Sequence, residues 1–326
     1  METGGDIFSY MTFKSIRKNT GRFFGWLGLV ACSGIIRFLP ARFLYGFARL
    51  LSFVGYRVAS KQRRIALESL TVAFKEEKSP AEREQIAREC FSFMAKAAIE
   101  LLFLMERPDM LRGRVKITNR HILERALTRG RGVILVSAHF GNFPLMLARL
   151  ALEGYKTAGI MRPMRDGRVE AFFGRKRKSL NIKTIYSQPR NACVYATIDA
   201  LRNNEMVFIP LDQNFGTGGV SVEFFGRRAA TATGPVVLAQ RTGARLLPCF
   251  IIRRPGDYHE IVFEEPITIR QAADPRDTLR MNIQFLTGVI ERYIRRYPAE
   301  WGWIHRRWKS EASREKRAKQ SREKEG

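Results

Sequence analysis

Hydrophobic and polar positions change their rhythm twice along the chain. The first apolar run, FFGWLGLVACSGII (23–36), is fourteen residues long and follows Lys14, Arg17, Lys18 and Arg22. Such a run falls short of the roughly 20 residues of a clean membrane span. The segment RFLPARFLYGFARLLSFVGYRVASKQRR (37–64) then interleaves aromatics and leucines with arginines, which predicts helices lying in a membrane interface. SPAE (79–82) opens a helix with a serine cap, a proline at the first helical position and a glutamate three residues after the cap. Ile86, Cys90, Met94, Ala97, Leu101 and Leu104 recur at steps of three and four and mark its buried face. Glu100 stands beside that stripe, either as a surface group or as a buried, paired and therefore functional one.

From residue 131 the period shortens. GVILVSA (132–138), KTAGIM (156–161), KTIYS (183–187), EMVFIPLD (205–212), RLLPCFIIRR (245–254) and HEIVFEEPITI (259–269) predict strands. PLMLARLALEGY, RVEAFFGRKRKSL, ACVYATIDALRN and GPVVLAQRTG predict helices between several of them. The alternation predicts an α/β fold, with a central parallel or mixed sheet flanked by helices and an N-terminal membrane-associated helical region. Three parts are expected: anchoring helices over 1–64, an α/β domain over 65–308, and a disordered basic tail over 309–326.

Composition adds one strong constraint. Lys and Arg number 57 against 31 Asp and Glu, a net charge of +26. Such a surface suits anionic partners, whether nucleic acid, anionic lipid headgroups or an acidic carrier protein. Cys32, Cys90, Cys193 and Cys249 show no CxxC and no histidine at metal-ligand spacing, so reduced, mostly buried thiols and no metal site are expected.

Histidine is scarce, four in the chain, and His139 sits in VSAHFGNFP (136–144) just past an apolar strand. In open α/β sheets ligands bind at the carboxyl ends of strands, beside helix N-termini. Gly141 permits tight backbone geometry there, and Asn142 or Phe143 caps the helix that Pro144 begins. The imidazole would then lie beside backbone N–H groups suited to an oxyanion or a phosphate. Other strand ends offer Arg162 and Arg165 in RPMR, Asp212 and Gln213 in PLDQNFG, and Thr233 and Gly234 at a second helix start. Guanidinium groups suit phosphate or carboxylate.

Together, SAHFGNFP, MRP, FIPLDQNFG, FFGRRAATATGPVVLAQRTGARLLP and PAEWGWIHRRWK resemble the bacterial lipid A late acyltransferases and related lysophospholipid acyltransferases. RRIALESLTVAF (63–74) and the helix bearing Glu100 extend the similarity over roughly residues 37–309. The resemblance implies an enzyme on the cytoplasmic face of the inner membrane. It would move a fatty acyl chain from acyl carrier protein or coenzyme A to a hydroxyl of a glycolipid or lysophospholipid, with no cofactor. His139 would be the general base; Gly141, Asn142, Arg162, Arg165, Gln213, Thr233 and Gly234 would bind substrate, Arg162 also serving as an oxyanion donor. The implied partners are anionic membrane lipids, the lipid acceptor and an acidic acyl carrier protein.

One position departs from the family pattern of His, four residues, then Asp or Glu: Pro144 occupies the acidic place. Three alternatives follow. Glu100 or Asp212, both matching acidic residues of the family, orients His139; a backbone carbonyl does so; or the protein is a catalytically weak lipid-binding relative. The competing class is a basic nucleic-acid-binding protein, but no helix-turn-helix, RNP-like or zinc pattern is present, so no specific nucleic acid is expected.

Overall fold

Residues 13–311 are described by the structure, a computed structural model, and they begin with helices. In chain order these are α1 (Phe13–Ile36), α2 (Ala41–Val58), α3 (Ser60–Phe74), α4 (Pro80–Leu104) and α5 (Pro108–Arg114). β1 (Val115–Thr118), α6 (Arg120–Leu127), β2 (Val133–Ser137), α7 (Phe143–Leu152) and β3 (Thr157–Met161) follow. Next come α8 (Gly167–Ser179), β4 (Ile182–Tyr186), α9 (Arg190–Arg202) and β5 (Met206–Pro210). A hairpin of β6 (Val220–Phe224) and β7 (Arg227–Thr231) precedes α10 (Gly234–Thr242), β8 (Arg245–Arg254), β9 (Tyr258–Phe263) and α11 (Pro275–Arg296).

The larger sheet has seven strands in the order β1-β9-β8-β2-β5-β3-β4, parallel except for the β8–β9 pair. This is the expected α/β class with a mostly parallel sheet. Alternate residues of each strand serve opposite faces, as a two-residue period requires. Ile134, Val136, Phe250 and Ile252 enter one core with α3, α4 and α11, whereas Val133, Leu135, Cys249 and Ile251 enter the other with α7. Both layers are therefore apolar, which explains why the strands read as continuous hydrophobic runs.

α4 begins as its sequence predicts. The Ser79 hydroxyl accepts from the Glu82 N–H at 3.3 Å and the Glu82 carboxylate accepts from the Ser79 N–H at 2.7 Å. α4 then carries α2 on one side, where Leu44 and Ala48 of α2 are buried. The outward faces of α1 and α2 stay uncovered. Of the 22 large apolar side chains exposed among the described residues, 14 lie between Phe23 and Val58. No helix among the described residues is long and apolar enough to cross a membrane.

Three features differ from the sequence expectation. β9 ends at Phe263, and Ile267 makes an isolated bridge to Leu246, because Pro266 interrupts the ladder. The β6–β7 hairpin turns at Phe225 and Gly226, both with positive φ, a turn whose first position carries none of the usual small residues. Cys90 and Cys249 are buried, but Cys32 faces outward on α1. The basic tail expected over 309–326 lies, from 312 on, outside the described residues.

Candidate active site

Strand register brings His139 and Asp212 together. Ser137 at the end of β2 pairs with Pro210 at the end of β5, and the Leu211 N–H donates to the Ser137 carbonyl at 2.9 Å. His139 and Asp212 each lie two residues farther along, so the two side chains leave neighbouring parallel strands at the same level. The pair sits beside the point where the chain, after running from β2 out to β3 and β4, returns through β5 and crosses to β8. That is where open α/β sheets leave a crevice.

The Asp212 carboxylate is fully buried and accepts three N–H groups. Its Oδ1 meets His139 Nδ1 at 2.9 Å, while Oδ2 accepts the His139 backbone N–H at 2.9 Å and Trp301 Nε1–H at 2.8 Å. A carboxylate has no proton to give, so Nδ1 carries the hydrogen and Nε2 keeps its lone pair. Nε2 faces outward and meets the Gln213 side-chain amide at 3.2 Å, with the amide donating. Burial by itself would lower the imidazole pKa, but the charge and hydrogen bond of Asp212 outweigh it and raise the value above the ordinary 6.5. Burial by itself would raise that of Asp212; His139, His305 and the Trp301 hydrogen bond hold it well below the usual carboxylate range. The arrangement is an imidazole with a fixed tautomer on a partly exposed side chain, one that can take up a proton at Nε2.

The walls are equally specific. The Phe143 ring stands edge-on to the imidazole at 5.4 Å between centroids and stacks on Phe208 at 5.2 Å. Gly141 has φ of +59°, and a Cβ there would fall 1.9 Å from the Ile251 carbonyl oxygen, so a side chain cannot be accommodated without moving β8. Its N–H donates to the Glu300 carbonyl at 2.9 Å. Pro144 lies within the first turn of α7, where no intrahelical N–H is needed, and Asn142 is the N-cap residue.

A clamp from the C-terminal segment, which sequence reasoning did not assign, fixes the Asp212 loop from behind. His305 faces the Asp212 carbonyl with Nε2 at 3.1 Å and the Gly302 carbonyl with Nδ1 at 2.7 Å. Arg307, fully buried, donates to the carbonyls of Gln213 (3.1 Å) and Ala230 (2.6 Å) and to the Thr231 hydroxyl (2.5 Å). Burial pushes its guanidinium down to about 10, and the nearby Asp212 charge works against that. The visible signal for this clamp was the WGWIHRRW run itself, whose three tryptophans crowd a short stretch.

The other expected residues fall elsewhere. Glu100 does not reach the imidazole. It is buried beneath α7, where Arg253 holds both its oxygens at 2.6 and 2.7 Å and Tyr45, Asn142 and His259 also bond to it. Asn142 thus bonds away from the imidazole, to Glu100 and to the Ala97 carbonyl, each at 3.2 Å. Arg162 and Arg165 lie exposed in the turn between β3 and α8, and Thr233 and Gly234 sit at the N-terminus of α10. None of these four hydrogen-bonds to His139, Asp212 or Gln213.

Comparison with known proteins supplies a family for the chain. A family model described as bacterial lipid A biosynthesis acyltransferase matches residues 10–310. The chain is 26% identical over 277 residues to the lipid A biosynthesis palmitoleoyltransferase of Escherichia coli K12, covering 80% of this chain and 85% of that one. It is 24% identical over 291 residues to the lipid A biosynthesis lauroyltransferase of the same organism, covering 87% and 91%. A phosphatidylinositol mannoside acyltransferase of Mycobacterium tuberculosis is 25% identical over 200 residues, 60% of each chain.

Proposed function

The chain belongs to the bacterial lipid A biosynthesis acyltransferases and is an acyltransferase acting on a glycolipid, and from that premise we propose that His139, oriented by Asp212, is its general base. The observation that carries this is the Asp212–Nδ1 hydrogen bond at 2.9 Å, which leaves the Nε2 lone pair outward. Nε2 takes the proton of an acceptor hydroxyl as the hydroxyl oxygen attacks the carbonyl carbon of an acyl thioester. The oxyanion collapses, the carbon–sulfur bond breaks, and the imidazolium returns its proton to the leaving thiolate. The Gln213 amide, already beside Nε2, supplies a donor at the reacting position. Asp212 does the work that the Pro144 position does in the family pattern. The donor is an acyl carrier protein or coenzyme A thioester; the net charge of +26 favours either acidic donor.

Membrane docking belongs to the same proposal. The exposed apolar face of α1, α2 and the turn between them carries Phe24, Phe38, Phe43, Leu50 and Phe53 beside Arg37, Arg42, Arg49 and Arg57. Apolar area together with cations suits an anionic leaflet, with the helices lying in its interface. This would place the enzyme on the cytoplasmic face of the inner membrane, where acyl thioesters are made. The test is the lipid profile of a strain lacking the gene. Complementation with wild type restores the missing acylated glycolipid, whereas His139→Ala does not; full restoration by His139→Ala contradicts the base assignment.

A further inference from the structure

A buried cluster outside the catalytic pair joins the helix proposed to dock on lipid to the loop that carries the base. At its centre is Glu100 of α4. Tyr45 of α2 donates its hydroxyl to Glu100 Oε1 at 3.0 Å, and burial beside that carboxylate pushes the phenol up, so it stays a donor. On the other oxygen, Glu100 accepts from Asn142 Nδ2 at 3.2 Å. Asn142 is three residues after His139 and is the N-cap residue of α7. Arg253 of β8 completes the frame. Its guanidinium grips Glu100, and its backbone N–H donates to both oxygens of Glu300, at 3.1 and 3.0 Å. The Glu300 carbonyl in turn accepts the Gly141 N–H. Beyond the bonds of His139 to Asp212, the loop is held at the Gly141 backbone and at the Asn142 side chain, and both of these holds lead to Glu100 and Arg253.

We infer that Tyr45, Glu100 and Asn142 are positioning residues that tie the order of the His139 loop to the seating of α2 on a membrane surface. The inference rests on the interfacial docking proposed above. Free in solution, α2 keeps its outer apolar face in water, and its hold on α4 includes Leu44, Ala48 and the Tyr45 hydroxyl. Seating the outer face in a leaflet restricts the motion of α2, so the Tyr45–Glu100 bond persists for longer. Glu100 then stays aligned for Asn142, and the loop opens less often. Local opening of this kind is read by hydrogen exchange. A loop about an ångström out of place is enough to lower turnover substantially.

The experiment uses the full chain and needs no substrate, so its outcome is independent of whether acyl transfer is the reaction. Backbone hydrogen exchange over residues 139–146 is followed with and without vesicles of phosphatidylethanolamine and phosphatidylglycerol. In wild type, vesicles slow exchange of this loop by about fivefold, the worth of roughly one hydrogen bond. Tyr45→Phe floats with the vesicles as wild type does, yet its loop shows no vesicle-dependent slowing. Tyr56→Phe is the control, since it removes a hydroxyl from the same helix that bonds Glu84 at 2.6 Å, away from Glu100; it keeps the wild-type response. In separate transfer assays, on vesicles that also carry the glycolipid acceptor, Tyr45→Phe lowers kcat and leaves KM unchanged. A wild-type loop indifferent to bound vesicles, or the same slowing in Tyr45→Phe as in wild type, overturns the inference.

Discussion

Asp212→Asn lowers the turnover of acyl transfer by about 10⁴-fold, the scale of loss when a buried carboxylate that fixes the tautomer of a base becomes an amide. The reason is a count of donors. Three N–H groups converge on Asp212: His139 Nδ1–H, the His139 backbone N–H and Trp301 Nε1–H. An asparagine has one acceptor oxygen. If that oxygen faces the backbone and Trp301 donors, its NH₂ faces Nδ1, which must then offer a lone pair. The ring proton moves to Nε2, the atom that has to accept one from the hydroxyl. If the amide is flipped, its NH₂ meets two buried N–H groups, at about 1–3 kcal/mol for each group left unsatisfied. The pH profile separates this from a general loss of structure. The base works unprotonated, so activity is lost as pH falls through the His139 pKa, which Asp212 raises above 6.5. In Asp212→Asn the charge that raises it is gone, and the acid limb of the residual activity moves to lower pH. Steady-state rates across pH check both the size of the loss and the direction of the shift.

Glu100→Ala acts on stability first. It leaves the Arg253 guanidinium buried with Asp257 as its remaining carboxylate, and removes the acceptor for Tyr45, Asn142 and His259. Breaking a buried pair from one side typically costs about 3–5 kcal/mol, and the denaturant midpoint falls accordingly at neutral pH. Burial by itself would raise the Glu100 pKa from the ordinary 4.5, but the hydrogen bonds of His259 and Arg253 hold the folded value at about 2. A depressed carboxyl stabilises the fold above its unfolded pKa and stops doing so as pH falls through the folded one. The gap between wild type and Glu100→Ala is therefore full at pH 7 and narrows from about pH 5 toward pH 2. Urea titrations at several pH values measure it.

Local signals made much of the frame legible. The Ser79 cap, the β8 boundaries and the apolar run into His139 depend on residues close in sequence, and the expected elements stand where those signals point. Elements without a strong local period were not legible. β1 is four residues long at a sheet edge, and the β6–β7 hairpin turns on a phenylalanine with positive φ. The partner of His139 was legible as a pair of candidates, not as a choice. Choosing Asp212 requires knowing that β5, rather than the sequential β3, lies beside β2 and pairs Ser137 with Pro210. Glu100 looked ambiguous for the same kind of reason, since Arg253 and His259 arrive about 150 residues later along the chain. The clamp of Trp301, His305 and Arg307 stood in plain view as a motif, yet what it grips is set by tertiary contacts alone.

The most direct test of the account is acyl transfer by the purified protein from an acyl thioester to a glycolipid hydroxyl, with wild type and His139→Ala side by side. Wild type transfers the chain at a rate that rises with pH through a limb above 6.5. His139→Ala folds, binds the same vesicles and transfers about 10²–10⁴-fold more slowly, the contribution of a positioned general base. Transfer by His139→Ala at the wild-type rate, with the same pH limb, would contradict it.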